Sequence, residues 1–235
     1  MIVPLCTGMQ RSASTLTWQI VKCLAPQTRP LNWHPGCEVS GWTGHPVDWP
    51  IKRHDYLSGN NPVIYTYRHP VEAFLSLHRC FLTDVGSSEE YNDQYAADNA
   101  GRLILESADV FNAYKKDRDN GRPVLFLRYE DYYNNPESRI AHIAAFMLIV
   151  PALRENEVNE ILEFTDIKRN ASRAGKSFHT EVDIGTGMQG RHIDTENWGE
   201  PGKLLEKYKQ FASAVKHDPN LTDMKAVCDL MGYNL

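Results

Sequence analysis

The first stretch whose residue types suit a chemical role lies near the amino terminus. Residues 8–15 read Gly-Met-Gln-Arg-Ser-Ala-Ser-Thr and stand between a predicted buried strand over residues 2–7 and a predicted helix over residues 15–24. A turn that joins a strand to a helix points several backbone N–H groups and the positive end of the helix dipole toward one place. Arg11 adds a permanent charge whose forked donors suit oxyanions. The stretch therefore predicts a phosphate-binding loop.

The side chains of this loop differ from those of a nucleoside triphosphate-binding loop, G-x-x-x-x-G-K-[ST]. Ala13 stands in place of the second glycine and Ser14 in place of the lysine. Because that lysine normally holds the β- and γ-phosphates, its absence counts against an ATPase, a GTPase or an ordinary kinase. The remaining donors are three hydroxyls, whose alternative role is to cap the helix: Ser12, Ser14 and Thr15.

A second basic group follows the next predicted strand, residues 63–67. Arg68 leaves the end of this strand, Pro70 suits the first position of a helix, and Ser76 lies about two turns into that helix. Ligands of α/β sheets bind at the carboxyl ends of the strands. Arg68 and Ser76 are therefore predicted to hold a second phosphate, although Arg68 on its own would be expected to form a surface ion pair.

Strands and helices alternate along the rest of the chain. After the helix over 70–81, the spacing predicts further helices over 101–116, 136–147, 156–164, 200–215 and 222–231, and a strand over 124–128. This alternation predicts one α/β domain over residues 1–235, with a central parallel sheet flanked by helices. Three stretches are predicted as loops or insertions: 26–50, 84–100 and 171–202.

Composition narrows the class of protein. The 235 residues include 25 Lys and Arg against 30 Asp and Glu, a formal net charge of −5, so no nucleic-acid partner is expected. No run approaches the roughly 18 apolar residues of a membrane span. The first residues also lack the basic leader and apolar core of a signal peptide, so we expect a cytoplasmic protein. The five cysteines form no C-x-x-C pair and no other cluster has a convincing ligand spacing, so no metal is expected.

The two phosphate motifs, together with Ile51-Lys-Arg-His54 and residues 124–131, resemble the sulfotransferases that use 3′-phosphoadenosine 5′-phosphosulfate (PAPS). The resemblance covers roughly residues 1–195 and implies a fold related to the P-loop NTPases. The family's cytosolic branch has K-S-G-T-T-W where residues 11–16 read Arg-Ser-Ala-Ser-Thr-Leu. It implies that the 5′ group of the donor is held by the following loop residues: Gln10, Arg11, Ser12, Ala13, Ser14 and Thr15.

The same resemblance assigns the rest of the donor site. Arg68 and Ser76 match the family's 3′-phosphate pair, and Tyr129 matches the tyrosine near the adenine. Phe164 lies in a stretch similar to the family's S-F-x-x-M-K-x-N and is a further adenine-contact candidate.

The family's late R-K-G-x-x-G segment is half present. Residues 187–190 keep its two glycines, while Gly185 and Thr186 stand in place of the basic pair. Arg191 and His192 are the candidates to supply the missing phosphate contact.

The resemblance also implies a mechanism. Sulfuryl transfer is an in-line displacement in which the acceptor loses a proton as it attacks. His54 corresponds to the catalytic histidine of the family's K-T-H, with Glu38 and Asp55 as rival bases because other branches use a carboxylate. Lys52 and Arg11 would stabilise the charge on the transferring group. The products would be a sulfated acceptor and adenosine 3′,5′-bisphosphate (PAP).

The expected acceptor is a small molecule or a glycan. The tryptophans of residues 26–50 either line its pocket or form a private core of that loop. Two other functions stay open at this point: a P-loop-like small-molecule kinase, and a non-catalytic nucleotide-binding module.

Overall fold

The computed structural model of the protein describes these residues: 3–25, 51–84, 93–166, 169–170, 182–183, 188–189, 200–203 and 222–233. Strands and helices follow one another in this order: β1 (Leu5–Gly8), α1 (Ser14–Leu24), β2 (Ile51–Lys52), β3 (Val63–Tyr67), α2 (Pro70–Asp84), α3 (Asp93–Asp119), β4 (Val124–Arg128), α4 (Tyr129–Tyr132), α5 (Pro136–Phe146), α6 (Glu155–Thr165), β5 (Val182–Asp183), β6 (Met188–Gln189) and α7 (Thr222–Met231).

Four strands form the central sheet in the order β2-β1-β3-β4, and every pairing in it is parallel. The predicted parallel sheet is therefore confirmed. Because the strands are parallel, their carboxyl ends meet at one edge. That edge carries Gly8 at the end of β1, Lys52 at the end of β2, Arg68 directly after β3 and Tyr129 directly after β4.

Two apolar cores cover the two faces of the sheet. Successive residues of a strand point to opposite faces, so Leu5 and Tyr65 join one core and Cys6 and Ile64 join the other. The first core includes side chains of α2, α3 and α7, and the second includes side chains of α1, α5 and α6. Helices therefore flank the sheet on both sides, as the sequence predicts.

The predicted strands over 63–67 and 124–128 are confirmed residue for residue. The predicted loop over 84–100 is wrong in its second half, because α3 begins at Asp93 rather than at residue 101. This first part of α3 consists mostly of polar residues and alanines, and Ala100 is fully buried in the core that α2 and α3 share. A segment of polar residues and alanines gives little apolar periodicity, which is why the sequence pattern missed it.

Within the predicted loop over 171–202, the two short strands β5 and β6 pair antiparallel. The loop over 26–50 and most of the helix predicted over 200–215 lie outside the described residues. In the part of the chain that the structure describes, no helix is both long and apolar enough to cross a membrane.

Gly8 sits where β1 comes closest to β3. It pairs with Thr66, and a Cβ at this position would lie 2.5 Å from the carbonyl oxygen of Thr66 and closer still to its Oγ1. Since the obstructing atoms include the backbone of a paired strand, they cannot move aside. We expect Gly8→Ala to lower the free energy of unfolding by about 3 kcal/mol or more, as measured by urea denaturation.

Gly101 in α3 supplies the matched control. A Cβ there would lie 3.9 Å from Cε2 of Phe74, an ordinary contact. Gly101→Ala is therefore expected to stabilise the protein by up to about 1 kcal/mol through helix propensity. Equal stability of the two variants would contradict the tight packing of Gly8.

Candidate active site

The loop between β1 and α1 has the backbone shape expected of an anion cradle. Arg11 and Ala13 both adopt left-handed conformations, with φ of 63° and 64°. Alternating right- and left-handed residues turn successive N–H groups toward one concave side. Ala13 is the N-cap of α1 and makes no side-chain cap. The serines of this loop therefore do not cap α1 from the N-cap position.

The Ser12 side chain fastens the loop to the sheet. It is 1% exposed, and its Oγ lies 2.6 Å from the carbonyl oxygen of Met9, 3.0 Å from that of Thr66 and 2.8 Å from Thr66 Oγ1. Its hydroxyl is therefore occupied within the protein, and its backbone N–H is the group left for a ligand. The loop residues that are half-buried are Gln10, Arg11, Ala13 and Thr15.

Arg11 joins the two predicted phosphate motifs. Its Nε donates a hydrogen bond of 2.9 Å to Oγ of Ser76 on α2. The loop that follows β1 and the helix that follows β3 therefore meet at one place, as the order of the strands requires.

Arg68 is buried at this junction, with 6% of its surface exposed. Its Nη2 donates to Oε2 of Glu72 at 2.9 Å, and its guanidinium lies 4.6 Å from the centre of the Tyr129 ring. The Nε of Arg68 is buried without a hydrogen-bond partner among the described residues. The expectation of a surface ion pair for Arg68 is therefore wrong, since the pair with Glu72 is internal.

Glu72 is a site residue that the sequence analysis missed. It is fully buried, and its second oxygen, Oε1, accepts a hydrogen bond of 2.6 Å from the backbone N–H of Gly202. Its sequence position could have identified it, because Glu72 stands four residues after Arg68 at the start of a helix. Side chains of opposite charge at this spacing meet on a helix. Glu72 thus connects Arg68 to the segment over 200–203.

Glu130 was also missed, although it lies in the motif that contains Tyr129. It accepts hydrogen bonds from the backbone N–H of His69, at 2.8 Å, and from the hydroxyl of Tyr233, at 2.6 Å. His69 stands between Arg68 and the first residue of α2. The carboxylate therefore fixes the turn from which Arg68 projects.

Lys52 and His54 contact each other beside the loop. Lys52 Nζ lies 3.3 Å from His54 Nε2, and His54 Nδ1 lies 2.8 Å from the carbonyl oxygen of Gly8. A carbonyl oxygen only accepts, so Nδ1 carries the hydrogen and Nε2 is the acceptor that faces Lys52. This bond fixes both the tautomer and the orientation of the imidazole.

Burial governs the protonation of this pair. Burial, with a smaller effect of the positive charge of Arg11, lowers the pKa of Lys52 to about 8. Burial also lowers the pKa of His54 to about 4, and the neighbouring Lys52 charge acts in the same direction. At neutral pH, Lys52 is therefore mostly charged and His54 is neutral, which is the form that a base requires.

The lowered pKa of His54 makes stability depend on pH. Between about pH 4 and 6.5, the unfolded chain binds a proton at His54 that the folded protein excludes. The free energy of unfolding is therefore expected to fall as the pH decreases through this window, with His54 contributing about 3 kcal/mol of the loss. Urea denaturation at several pH values should show a flatter profile for His54→Gln.

His142 provides the control for this pH profile. It is an exposed histidine of α5, so His142→Gln should leave the slope between pH 4 and 6.5 as it is in the unaltered protein. An unchanged slope in His54→Gln would contradict the burial of His54 as a neutral side chain.

The other predicted residues fall in different places. Asp55 is a rival base whose carboxylate pairs with Arg53 at 2.5 Å, and its side chain is 53% exposed. Phe164 is half-buried on α6, where its ring centre lies 5.9 Å from Nζ of Lys22. Glu38 and Arg191 lie outside the described residues.

Metal-ligating residues are not gathered in the described part of the chain. There, no group of three or more His, Cys, Asp or Glu side chains is placed to hold a metal ion. Three side chains bring positive charge to this edge of the sheet, among others: Arg11, Lys52 and Arg68.

The family model of the sulfotransferase domain matches residues 51–215, which is more than half of the chain. The chain therefore belongs to the sulfotransferase family, and the predicted enzyme class is confirmed. The match begins at β2, after the loop over 8–15. No curated protein matches the chain at a significant level.

Solved structures of similar fold include the mouse sulfotransferase SULT7A1 complexed with PAP. It is 15% identical with a TM-score of 0.59, and the alignment covers 98% of this chain and 88% of that one. Retinol dehydratase in complex with retinol and PAP is 14% identical with a TM-score of 0.59, covering 100% of this chain and 83% of that one. A further complex of retinol dehydratase, with androsterone and PAP, is 15% identical with a TM-score of 0.51, covering 89% and 79%. These likenesses confirm the P-loop-like sulfotransferase fold.

Proposed function

We propose that the protein transfers the sulfuryl group of PAPS to a hydroxyl or an amine of a small-molecule or glycan acceptor. The observation that carries this proposal is the hydrogen bond of 2.9 Å between Arg11 and Ser76. It unites a loop suited to a 5′-phosphosulfate with a helix suited to a 3′-phosphate. The two anionic groups of one nucleotide would then be held by two neighbouring strand ends.

The residues present fit such a nucleotide. The left-handed Arg11 and Ala13 give the loop a concave row of N–H donors. Arg68 offers a buried Nε without a hydrogen-bond partner in the described chain, next to the ring of Tyr129. An unpartnered buried donor is costly, so a phosphate oxygen at this position would satisfy it.

The proposed reaction is a single in-line displacement. The acceptor oxygen forms a bond to sulfur while the bond from sulfur to the bridging oxygen of the 5′-phosphate breaks, and the electron pair of that bond leaves with PAP. His54 Nε2 accepts the acceptor's proton. The carbonyl of Gly8 holds the opposite nitrogen at 2.8 Å, which stabilises the imidazolium that forms.

Lys52 and Arg11 would balance the negative charge that develops on the leaving oxygen. Both lie at the carboxyl edge of the sheet, and Lys52 is close enough to Arg11 for the two charges to repel. Two neighbouring cations create a site that favours an anion. They would therefore act through their positive charge rather than as proton carriers.

The acceptor site is proposed to be formed by the stretches 26–50, 84–100 and 171–202, within a single domain over residues 1–235. Retinol and androsterone are bound in the retinol dehydratase complexes. Apolar alcohols therefore belong in the acceptor panel beside phenols, amines and sugars.

The test is transfer of label from ³⁵S-labelled PAPS to each member of that panel, with PAP measured in the same reaction. We expect a labelled product from at least one acceptor and one PAP for each transfer. Tight binding of PAP without transfer to any acceptor would favour a non-catalytic nucleotide-binding module. Phosphoryl transfer from ATP with magnesium would instead favour a small-molecule kinase, and either result would overturn the proposal.

A further inference from the structure

In the structure, the proposed base His54 already has a hydrogen-bond partner at each ring nitrogen. His54 Nε2, the atom that must accept the proton, lies 3.3 Å from Lys52 Nζ, and Nδ1 is engaged by the carbonyl of Gly8 at 2.8 Å. Since Lys52 is mostly protonated at neutral pH, its ammonium donates to the Nε2 lone pair. An acceptor hydroxyl cannot give its proton to a lone pair that already holds a hydrogen bond.

We propose that Lys52 restrains His54 until the anionic donor binds, so that His54 becomes a base only in the donor complex. This inference rests on the proposed function, which places the phosphosulfate beside Lys52. Lys52 would then have two roles: it blocks the base in the donor-free protein and stabilises the transferring group in the complex.

Lys52 donates to His54 because no carboxylate of the described residues is close enough to accept its hydrogen bond. Among the described residues, no carboxylate lies within ion-pair distance of Lys52. The nearest acidic side chain in sequence, Asp55, is held by both Nε and Nη2 of Arg53 at 2.5 Å. The neutral imidazole nitrogen of His54 is therefore the acceptor available to the half-buried ammonium of Lys52.

The groups that face His54 act on its charge in opposite directions, so the hydrogen bond from Lys52 to Nε2 can be exchanged. The carbonyl of Gly8 on β1 and the carboxylate of Asp55 favour a positive imidazole, whereas burial and Lys52 on β2 oppose it. Arg11 acts from the loop by repelling Lys52. An anionic oxygen between Arg11 and Lys52 would accept from both cations more strongly than imidazole does, because charge-assisted hydrogen bonds are the stronger ones.

The exchange involves hydrogen bonds only. Lys52 loses its bond to Nε2 and gains one to an oxygen of the donor, and the Nε2 lone pair is left facing the acceptor. No covalent bond changes until the acceptor is present. The enzyme would therefore deprotonate its acceptor only after the donor has bound, which sets the order of the chemical events.

The ¹⁵N chemical shift of His54 Nε2 tests this inference, because it reports whether the lone pair accepts a hydrogen bond. The full-length protein would be labelled at histidine nitrogens, the His54 signal assigned with His54→Gln, and PAP used as the probe. In the unaltered protein we expect PAP to move this signal toward the value found in Lys52→Met without ligand. In Lys52→Met, PAP should produce a much smaller shift.

One further measurement completes the test. Without ligand, Lys52→Met should raise the proton affinity of His54 about tenfold or more, because one repelling charge and one donor are removed. The exposed His142 serves as the internal control whose signal should not move. If Lys52→Met does not fold, Lys52→Gln replaces it.

Failure of this inference can be told apart from failure of the proposed function. Calorimetry that shows no PAP binding to the unaltered protein would overturn the proposed function. PAP binding with an unmoved Nε2 signal, or an Nε2 signal that is the same in the unaltered protein and in Lys52→Met, would overturn the inference alone.

Discussion

Replacing His54 with alanine is expected to lower kcat for sulfuryl transfer by about 10²- to 10⁴-fold, the usual contribution of a positioned general base. The imidazole is neutral and is oriented by the carbonyl of Gly8 at 2.8 Å, so the substitution removes a base whose orientation is fixed. The affinity for PAP should change little, because Arg11, Arg68 and the loop remain. Steady-state kinetics with calorimetry of PAP binding measure both quantities.

Two variants serve as controls for this result. His142→Ala removes an exposed histidine of α5 and should leave kcat unchanged. Asp55→Asn tests the rival base, whose carboxylate pairs with Arg53 and is largely exposed, and it should reduce kcat by no more than a few fold. The assignment of His54 would be contradicted if Asp55→Asn abolished transfer while His54→Ala retained it.

Replacing Arg68 with methionine is expected to have two large effects. It leaves the fully buried carboxylate of Glu72 without its cation, which should lower the free energy of unfolding by about 3–5 kcal/mol. It should also remove measurable binding of PAP, since Arg68 is the proposed 3′-phosphate contact. Urea denaturation and calorimetry measure the two effects separately.

The double variant Arg68→Met/Glu72→Gln separates stability from binding. It leaves no charge at the buried pair of positions 68 and 72, and the new side-chain amide still offers an oxygen to the N–H of Gly202, so most of the stability should return. PAP binding should not return. Arg102→Met is the matched control, because Arg102 and Glu106 form an exposed pair with the same spacing, which contributes less than about 1 kcal/mol. Recovery of PAP affinity in the double variant would contradict the role given to Arg68.

Much of the fold could be predicted because its signals are local. The strands over 63–67 and 124–128 are short apolar runs bounded by proline and polar residues. The loop over 8–15 could be predicted because a strand pattern precedes it and a helix pattern follows it. The start of α3 at Asp93 was missed because residues 93–100 are mostly polar residues and alanines and form no apolar stripe in the sequence.

The site was less accessible to prediction because its contacts join distant parts of the chain. The bond between Arg11 and Ser76 spans 65 positions, and that between Glu72 and Gly202 spans 130. The contact between Lys52 and the Gly8-bound His54 depends on the register of β2 against β1, which no single motif encodes. Residue types therefore gave candidate members of the site, whereas the pairing of Lys52 with His54 and of Arg68 with Glu72 came from the structure.

The central claim is that this site takes a 3′-phosphorylated adenosine nucleotide rather than a nucleoside triphosphate. Thermal unfolding of the protein with PAP, against ATP and magnesium at the same concentration, tests it most directly. A ligand at about 100 times its Kd stabilises the native state by about 2.7 kcal/mol, so PAP is expected to raise the Tm by several degrees. ATP with magnesium should leave it nearly unchanged. A rise in Tm with ATP and magnesium and none with PAP would contradict the account.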